Sequence, residues 1–412
     1  RIRYCRFAIR PQFGPGMAAR RVVFDVLATC AACVAGLRLQ DAPAGEHVVG
    51  ATAAAHPWPT FRGPQTQMFG ASDVVVPENL SSSLAWSWHH PGGRYHTNVA
   101  GGPVIDASGN LYLSTNDGVR KFSREGQVLW HFPQTGGRHN NQISLLGDKV
   151  FGSNQDGVAF AVHADSGTAA WLKKLADTSG GDAGYPAGHD GVFVVGAGEG
   201  HDPASNGGNV KIFGLDAATG KELWTYSPQR PVWNFAPLFP GDGSCLFMDM
   251  GGTMYRLGLH NGTLLWRAQS TGALKSFSDG GAVLGPNGAV YSCSNPGADG
   301  GSEGTHGLLR ALRVKDGGLL WEQVLPQPCN SYPAVGHLSG QGQGLSVAVT
   351  PGSFMMSEHM HGSIMAFDAE TGAPQWRFNA KVYDHLHGLA VGDLEGYEER
   401  HKFNPGHDIC LP

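Results

Sequence analysis

Charged residues are scarce in this sequence. Lys, Arg, Asp and Glu together make up 15% of its 412 residues, and the formal net charge is −5. After residue 45 no run of Lys and Arg is longer than a pair. Domains that bind nucleic acid instead concentrate basic side chains along one face. We therefore expect no nucleic-acid partner.

Cysteine is also rare. Four of the seven cysteines lie beyond the first 45 residues: Cys245, Cys293, Cys329 and Cys410. No two of these four have the C-x-x-C spacing of common zinc sites, so we expect no zinc. In an oxidising compartment they could form two disulfides, with three possible connectivities. Buried free thiols are the alternative, and the sequence leaves both open.

Long apolar runs are missing except near the beginning of the chain. Met17 is followed by two arginines and the apolar residues 22–37, which is the pattern of a secretory signal peptide. Asp25 interrupts that stretch, and the stretch is too short to predict a membrane span. The residues before Cys30 and Cys33 do not fit a lipoprotein processing site. We expect export to an extracellular, periplasmic or lumenal compartment, without a lipid anchor.

Glycine and proline are abundant, with 61 and 25 residues, which favours many short strands joined by turns. Tryptophans recur after a short polar turn at spacings of 41, 53, 42, 55 and 55 residues. Repeats of this length are typical of β-propeller blades. We expect these tryptophans to pack between blades and not to bind a ligand. They are Trp130, Trp171, Trp224, Trp266, Trp321 and Trp376.

One repeat, residues 209–226, shows the expected unit. A strand leads into a turn over 216–220, where Asp216 can accept backbone N–H bonds and Gly220 can adopt a positive φ. The returning strand then carries Trp224, whose ring can cover the gap to the next blade. A second strand pair precedes each such hairpin. The pattern predicts an all-β propeller of four-stranded antiparallel blades, with strands A to D and six complete modules.

The hairpins at 215–224 and 366–376 resemble the repeat of pyrroloquinoline-quinone (PQQ)-like propellers, a family that includes quinoprotein alcohol dehydrogenases and the assembly scaffold BamB. Residues 58–64, WPTFRGP, followed by LAW at 84–86, are similar to the opening segment of secreted PQQ-repeat proteins. The resemblance covers roughly residues 57–392 and implies seven or eight blades. For the dehydrogenases it also implies PQQ, Ca²⁺ and a carboxylate base. The vicinal cysteine pair of the methanol-dehydrogenase type is missing after the leader.

Four segments follow from this interpretation. Residues 1–45 are upstream sequence and signal peptide, and 46–85 are an extension with the WPTFRGP segment and a lone strand. Residues 86–392 form the propeller, and 393–412 are irregular. Either the ring closes imperfectly at about seven blades, or the chain stops inside a blade. Because the start of the chain is also irregular, we favour the second.

A binding site is expected at one end of the ring. Since strands alternate in direction, the D–A connections between modules and the B–C turns emerge at the same end, called the top face here. Two B–C turns are enlarged, at 196–209 and 294–307, and they are either binding loops or tolerated insertions. Polar and aromatic side chains in the D–A connections converge on the channel mouth, where they bind a ligand or satisfy one another. These are Tyr95, His96, Asn98, His139, Asn141, Tyr185, Trp233, Asn234, Lys275, Asn330, Tyr332, Asp384, His385 and His387.

Candidates for metal binding and catalysis are few. His385 and His387 alternate along an extended segment, so both side chains can point to one face and chelate a metal, but no third ligand is apparent. The carboxylates placed for a general base are Asp182, Asp279 and Asp384. We predict a binding or scaffolding module whose top face takes a protein, a glycan or another small molecule. The alternative is a quinoprotein oxidoreductase that uses PQQ and Ca²⁺ on an alcohol or aldose.

Overall fold

The computed structural model describes residues 56–60, 63, 84–92, 102–133, 141–180, 184–202, 205–270, 278, 281–296, 306–337, 344–352 and 362–379. Contacts divide the chain into a small unit, Arg1–Gln40 with Val74–Ser87, and a large unit, Asp41–Asp73 with Trp88–Pro412. Of the small unit only residues 84–87 are described, and they join no strand. The sheets below all belong to the large unit.

The described residues form 23 strands and no helix. Module 1 contains β1 (Val104–Ile105), β2 (Leu111–Thr115), β3 (Gly118–Phe122) and β4 (Val128–Pro133). Module 2 contains β5 (Ser144–Leu146), β6 (Lys149–Ser153), β7 (Val158–His163) and β8 (Ala169–Lys174). Module 3 contains β9 (Ala187–His189), β10 (Val192–Asp202), β11 (Ser205–Asp216) and β12 (Glu222–Tyr226).

The remaining three modules follow in the same order. Module 4 contains β13 (Ser244–Met248), β14 (Met254–Gly258) and β15 (Leu264–Ala268). Module 5 contains β16 (Ala282–Leu284), β17 (Ala289–Ser294), β18 (Gly307–Arg313) and β19 (Leu319–Leu325). Module 6 contains β20 (Ala334–His337), β21 (Leu345–Val349), β22 (Ser363–Asp368) and β23 (Pro374–Asn379).

Each module is one antiparallel sheet whose strands are neighbours in chain order. The first strands of modules 1, 2 and 3 contact one another, as do those of modules 5 and 6, so the first strand of each sheet is the inner one. This is the all-β propeller that the tryptophan spacing predicts, with six modules in the described part of the chain.

Module 4 departs from the four-strand rule. Its inner position is held by a single bridge, in which Leu238 and Leu246 exchange backbone hydrogen bonds of 2.9 and 2.8 Å. Pro237 and Pro240 stand on either side of that bridge. Because proline has no N–H to donate, the ladder cannot extend past them. The four-strand pattern therefore shrinks to three strands and a bridge.

Module 3 departs from the predicted loop. Residues 196–209 do not form an irregular turn, because β10 and β11 continue pairing as far as Asp202 and Ser205, with a register shift between Glu199 and His201. The glycines of this stretch permit close backbone approach without side-chain crowding. The insertion is thus a β-hairpin that extends past its neighbours β9 and β12. Most of the other enlarged turn, 294–307, lies outside the described residues.

The turn chemistry is local and repeats between modules. Asp216 Oδ1 accepts the backbone N–H of Thr219 at 2.8 Å and its hydroxyl at 2.6 Å, and Gly220 has φ +71°. Asp368 and Thr371 form the same pair of bonds in module 6, both at 2.8 Å. Such side-chain bonds specify the turn without help from tertiary contacts.

The tryptophans of the outer strands join consecutive modules. Trp171 in module 2 donates its indole N–H to the carbonyl of Ala217 in module 3 at 3.0 Å. Its ring lies on Gly220, where an added Cβ would stand 2.7 Å from ring atoms. The same pairing joins Trp130 to Ala164, Trp224 to Leu259, Trp266 to Val314 and Trp321 to Ala369. Residues 380–412, which follow β23, lie outside the described part of the chain.

The opening segment lies on the inner side of modules 1 and 2. Trp58 bridges Ile105 of β1, with hydrogen bonds of 2.8 and 3.4 Å. Pro59 accepts a hydrogen bond of 2.8 Å from Leu145 of β5. Residues 84–90, predicted as a lone outer strand, are described but join no sheet. Within them, Trp88 packs on Phe122 of β3, with ring centroids 5.3 Å apart.

Of the three described cysteines, two form a disulfide and one is a free thiol. Cys293 and Cys329 form a disulfide between β17 and the connection to module 6, with their Cα atoms 5.5 Å apart. Cys245 is a buried free thiol, and Cys410 lies outside the described residues. A search of the described residues for an apolar helix of membrane-spanning length found none.

Candidate functional site

Six of the predicted mouth residues are described: Asn141, Tyr185, Trp233, Asn234, Asn330 and Tyr332. All six lie in connections that lead from an outer strand to the next inner position. The other candidates lie outside the described residues: Tyr95, His96, Asn98, His139, Asp182, Lys275, Asp279, Asp384, His385 and His387.

Tyr332 brings connections of four modules together. Its hydroxyl, from the connection before module 6, donates to the backbone carbonyl of Asn234 in module 4 at 2.7 Å. Its ring meets Tyr185 of module 3 edge-on, with centroids 6.1 Å apart. A Cβ on Gly281, before module 5, would overlap the same ring. Connections separated by up to 147 positions, from 185 to 332, therefore meet at one point.

The backbone of Asn234 is strained. Its φ is +44°, a region that residues with a side chain seldom adopt. Such strain persists only where surrounding contacts hold it, and it is concentrated at functional sites. Here the Tyr332 hydroxyl holds the Asn234 carbonyl, and Val232 nearby exchanges hydrogen bonds of 2.8 and 2.9 Å with Asn209. This part of the mouth is a preorganised backbone.

A second network surrounds the disulfide. The Asn295 side chain accepts the backbone N–H of Cys329 at 2.7 Å and donates to Asn330 Oδ1 at 2.6 Å. Its backbone N–H donates to Ser278 Oγ at 3.0 Å. Cys293 and Cys329 are both fully buried. The disulfide and Asn295 together position the segment that carries Asn330 and Tyr332.

Asn141 joins modules 2 and 3. Its amide nitrogen donates to Ser153 Oγ at 2.6 Å, and its amide oxygen accepts the backbone N–H of Gly184 at 2.7 Å. Gln142 donates its backbone N–H to the Gly184 carbonyl at 2.7 Å. Asn141 thus fixes the segment that carries Tyr185. The described mouth residues also contact one another's connections, as Asn141 contacts Gly184 and Tyr332 contacts Asn234.

Asn209 was not among the predicted residues, although it anchors the extended hairpin. Its amide oxygen accepts the backbone N–H of Gly180 at 2.8 Å and the hydroxyl of Ser179 at 3.2 Å. Its amide nitrogen donates to the Gly180 carbonyl at 3.0 Å. The signal that could have indicated it is an amide at the end of a glycine-rich stretch.

Asp249 was also missed, because nothing in the sequence reveals its burial. It is 1% exposed, accepts the backbone N–H groups of Gly251 and Thr253 at 2.9 and 3.0 Å, and accepts the Tyr255 hydroxyl at 2.8 Å. Burial raises the pKa of Asp249 to about 6, against these hydrogen bonds and the charge of Arg230. Asp249 is thus a buried carboxyl with a raised pKa, in the turn between β13 and β14.

Arg310 is a buried cation in the interface between modules 4 and 5. It is 3% exposed and donates to the carbonyls of Gly252 and Gln269, the latter at 3.2 Å. Burial lowers its pKa to about 10, while the charges of Glu322 and Asp249 act in the opposite direction. The contacts of Arg310 tie module 5 to the top turn of module 4.

Three described features bear on the quinoprotein alternative. The Tyr332 ring fills the position above Gly281, and the Trp58 segment lies against the inner strands of modules 1 and 2. Cys293 and Cys329 are 36 residues apart and fully buried, so their disulfide is not the vicinal pair that stacks on a quinone. Within the described ranges, no group of three His, Cys, Asp or Glu side chains could hold a metal ion.

Comparisons with known proteins point to one family. A family described as outer membrane protein assembly factor BamB matches residues 155–341. The protein of that name from Burkholderia pseudomallei (strain K96243) is 23% identical over 261 residues, 63% of this chain and 59% of the relative. The chain thus spans about three fifths of that relative's length.

Two solved structures have a similar fold. BamB from Moraxella catarrhalis has a TM-score of 0.50 and 17% identity, over 67% of this chain and 74% of that one. A europium-containing methanol dehydrogenase has a TM-score of 0.57 and 13% identity, over 79% of this chain and 78% of that one. At these identities the likeness is one of fold. Its repeat motifs, its six sheets and these similarities show that the chain has the fold of the PQQ-like β-propellers.

Proposed function

We propose that this chain is an exported, non-catalytic binding module that holds a partner protein at its top-face mouth. The observation that carries the proposal is the convergence of four connections on Tyr332, which builds a rigid aromatic and amide surface. A surface that is already ordered binds a partner without the entropic cost of ordering itself. The names of the matched relatives, which are assembly factors, favour a protein as the partner over a glycan or another small molecule.

Export is supported by the disulfide. Disulfides persist in oxidising compartments and are rare in the cytosol. The buried pair of Cys293 and Cys329 suits such a compartment, as does the signal-peptide pattern at residues 17–37. We expect the mature protein to be found extracellularly, in a periplasm or in a lumen. Fractionation of cells that produce the tagged chain tests this, and a cytosolic protein with free thiols at both positions contradicts it.

Site-specific photo-crosslinking tests the binding surface. A photoreactive amino acid in place of Trp233, which is half-buried at the mouth, should form a defined protein adduct in cells. The matched control replaces Thr263, which is exposed in the turn between β14 and β15 at the opposite end. The same adducts at both positions, or none at Trp233, contradict the proposal.

The alternative function is that of a PQQ- and Ca²⁺-dependent oxidoreductase. We retain this alternative because a methanol dehydrogenase has a similar fold. The test is reconstitution with PQQ and Ca²⁺ followed by a dye-linked assay over alcohols and aldoses. We expect no turnover, because Tyr332 packs against Asn234 and Tyr185 where the connections of modules 3, 4 and 6 meet. Quinone-dependent turnover that is lost in Asp384→Asn or Asp279→Asn would establish the enzyme and overturn the proposal.

A further inference from the structure

The outer strand of module 5, β19, is an apolar edge. Its seven residues make it the longest of the six described outer strands. Leu319, Leu320 and Val324 are 57%, 42% and 65% exposed, whereas the other described outer strands expose at most two large apolar side chains each. Natural proteins commonly protect such edges with lysine or proline, because an open edge pairs with other strands. Between Leu319 and Leu325 there is neither.

One side of β19 has an unpaired backbone. Within the described part of the chain, β19 pairs with β18 and with no other strand. Alternate N–H and C=O groups along its outer side therefore remain available to an added strand. An extended peptide that pairs with such an edge gains main-chain hydrogen bonds, and its alternate side chains give specificity.

The register shows which side chains of β19 share a face. Opposite residues of paired strands lie on the same face of the sheet. Leu319 lies opposite Leu312, Glu322 opposite Arg310 and Val324 opposite Leu308. Leu312 packs in the core between modules 4 and 5, and Arg310 reaches carbonyls of module 4. A register shift between Ala311 and Leu312 leaves one extra residue on β19. Leu319, although three positions before Glu322, therefore faces the module 4 side together with Glu322 and Val324.

These three residues, the β19 edge surface, alternate in character. An exposed glutamate stands between two strongly exposed aliphatic side chains. The complementary pattern is a basic side chain between two apolar ones. Opposite charges directly across a strand pair stabilise it, and like charges destabilise it.

We infer that the β19 edge surface binds an extended strand of another protein, with Lys or Arg opposite Glu322 and apolar side chains on either side. A second copy of this chain is a poor occupant. Antiparallel pairing of all seven residues of two β19 strands would place Glu322 opposite Glu322, which like charges disfavour. The surface is on the outer rim, so the inference stands apart from the binding proposed at the mouth.

Peptide binding to the full chain tests the inference. The probe is a fluorescent seven-residue peptide of alternating threonine, with lysine at its centre and valine two positions away on each side. The matched probe has glutamate in place of lysine. Fluorescence anisotropy should show the lysine peptide binding about tenfold more tightly, the effect expected of exchanging a like for an opposite charge. Equal binding of the two peptides overturns the inference.

Variants locate the binding. Val324→Lys should abolish binding of the lysine peptide, whereas Leu265→Lys, on the outer strand of module 4 with a side chain 51% exposed, should not. Glu322→Gln, which avoids a second cation opposite Arg310, should remove the preference between the two peptides while both still bind, an outcome that mere loss of structure cannot produce. Thermal midpoints close to that of the natural chain establish that the variants are folded. Retained preference in Glu322→Gln, or a dimer of the natural chain that Val324→Lys dissociates, overturns the inference.

Discussion

At the scale of single residues, glycine and tryptophan act as a pair between modules. The ring of Trp171 occupies the space above Gly220, and its N–H satisfies the Ala217 carbonyl in the same turn. Glycine is needed there for two reasons, since φ is +71° and any Cβ would strike the ring. One position thus carries a backbone requirement and a packing requirement.

Substitution of Gly220 separates these two requirements. Gly220→Ala should lower the free energy of unfolding by about 2–4 kcal/mol, the sum of a left-handed backbone penalty and a displaced indole ring. The control is Gly241→Ala, at φ +84° with no atom within 4 Å of the added Cβ. It should cost about 1 kcal/mol from the backbone alone. Urea denaturation of both variants measures the difference, and equal losses would contradict the ring contact.

The buried carboxyl of Asp249 predicts an unusual pH dependence. Its folded pKa of about 6 is above the ordinary value of 3.8, so the folded state binds the proton more tightly between these values. This group therefore makes stability fall as the pH rises from about 4 to 6, by on the order of 3 kcal/mol, and adds no further change above that range. Asp249→Asn should remove the decline, as measured by urea unfolding at pH 4, 5, 6 and 7.

Asp106 is the matched control for that measurement. It also accepts a tyrosine hydroxyl, from Tyr112 at 2.7 Å. Burial raises the pKa of Asp106, but hydrogen bonds from Asn110 and Tyr112 outweigh it and hold the pKa below 3.8. Its contribution to stability is present above pH 4 and is lost as the pH falls below that value. Asp106→Asn should therefore change the free energy of unfolding only below about pH 4. The same pH dependence in Asp106→Asn and Asp249→Asn would contradict the raised pKa of Asp249.

At the scale of elements, the extended hairpin of module 3 depends on its base. Gly198 donates its backbone N–H to the Thr178 carbonyl at 2.9 Å, and Asn209 binds residues 179–180 on the same side. On the other side, Asn209 exchanges backbone hydrogen bonds with Val232. The hairpin is therefore held by the two connections that flank module 3, one of which continues to Asn234.

Asn209→Ala should loosen this hairpin. Loss of three buried side-chain hydrogen bonds, with backbone groups left unsatisfied, should cost about 2–3 kcal/mol. Hydrogen exchange should accelerate in residues 196–209 and in the connection at 230–235. Asn261→Ala is the control, since this exposed side chain accepts one hydrogen bond of 3.0 Å from Thr263. Unchanged exchange at 196–209 would show that the Asn209 amide does not hold the hairpin.

At the scale of the whole molecule, packing between modules and the disulfide combine. Hydrophobic clusters fill the interfaces between consecutive modules, with the one between modules 5 and 6 containing both Cys293 and Cys329. The disulfide joins β17 to the segment before module 6. It therefore constrains the junction between modules 5 and 6 as well as the mouth residues Asn330 and Tyr332.

Removal of the disulfide should destabilise the folded chain. The double variant Cys293→Ser, Cys329→Ser should lose about 2–4 kcal/mol, because the unfolded chain regains the freedom of a closed loop. Reductant should shift the denaturation midpoint of the natural chain towards that of the variant. Cys245→Ser is the control, since Cys245 is a free thiol and its variant should still respond to reductant. A natural chain indifferent to reductant under denaturing conditions contradicts the assigned pair.

Local chemistry made much of this architecture predictable from sequence. The Asp216 turn and the glycine at φ +71° depend on residues within a few positions of one another, and the indole that reaches a carbonyl of the next module recurs with each repeat. The module count follows from the tryptophan spacing. The exception in module 4 was also readable in principle, since Pro237 and Pro240 limit its inner strand.

The candidate site could not be predicted in this way, because its residues are far apart in the chain. The blades, their turns and the tryptophans that join them could be predicted from the amino-acid sequence, because those contacts recur with the repeat. The folded structure was needed to show that Tyr332 meets Asn234, that Cys293 pairs with Cys329 and leaves Cys245 free, and that Asp249 is buried. Such contacts join segments without a shared local pattern, and burial and pKa depend on everything packed around a group.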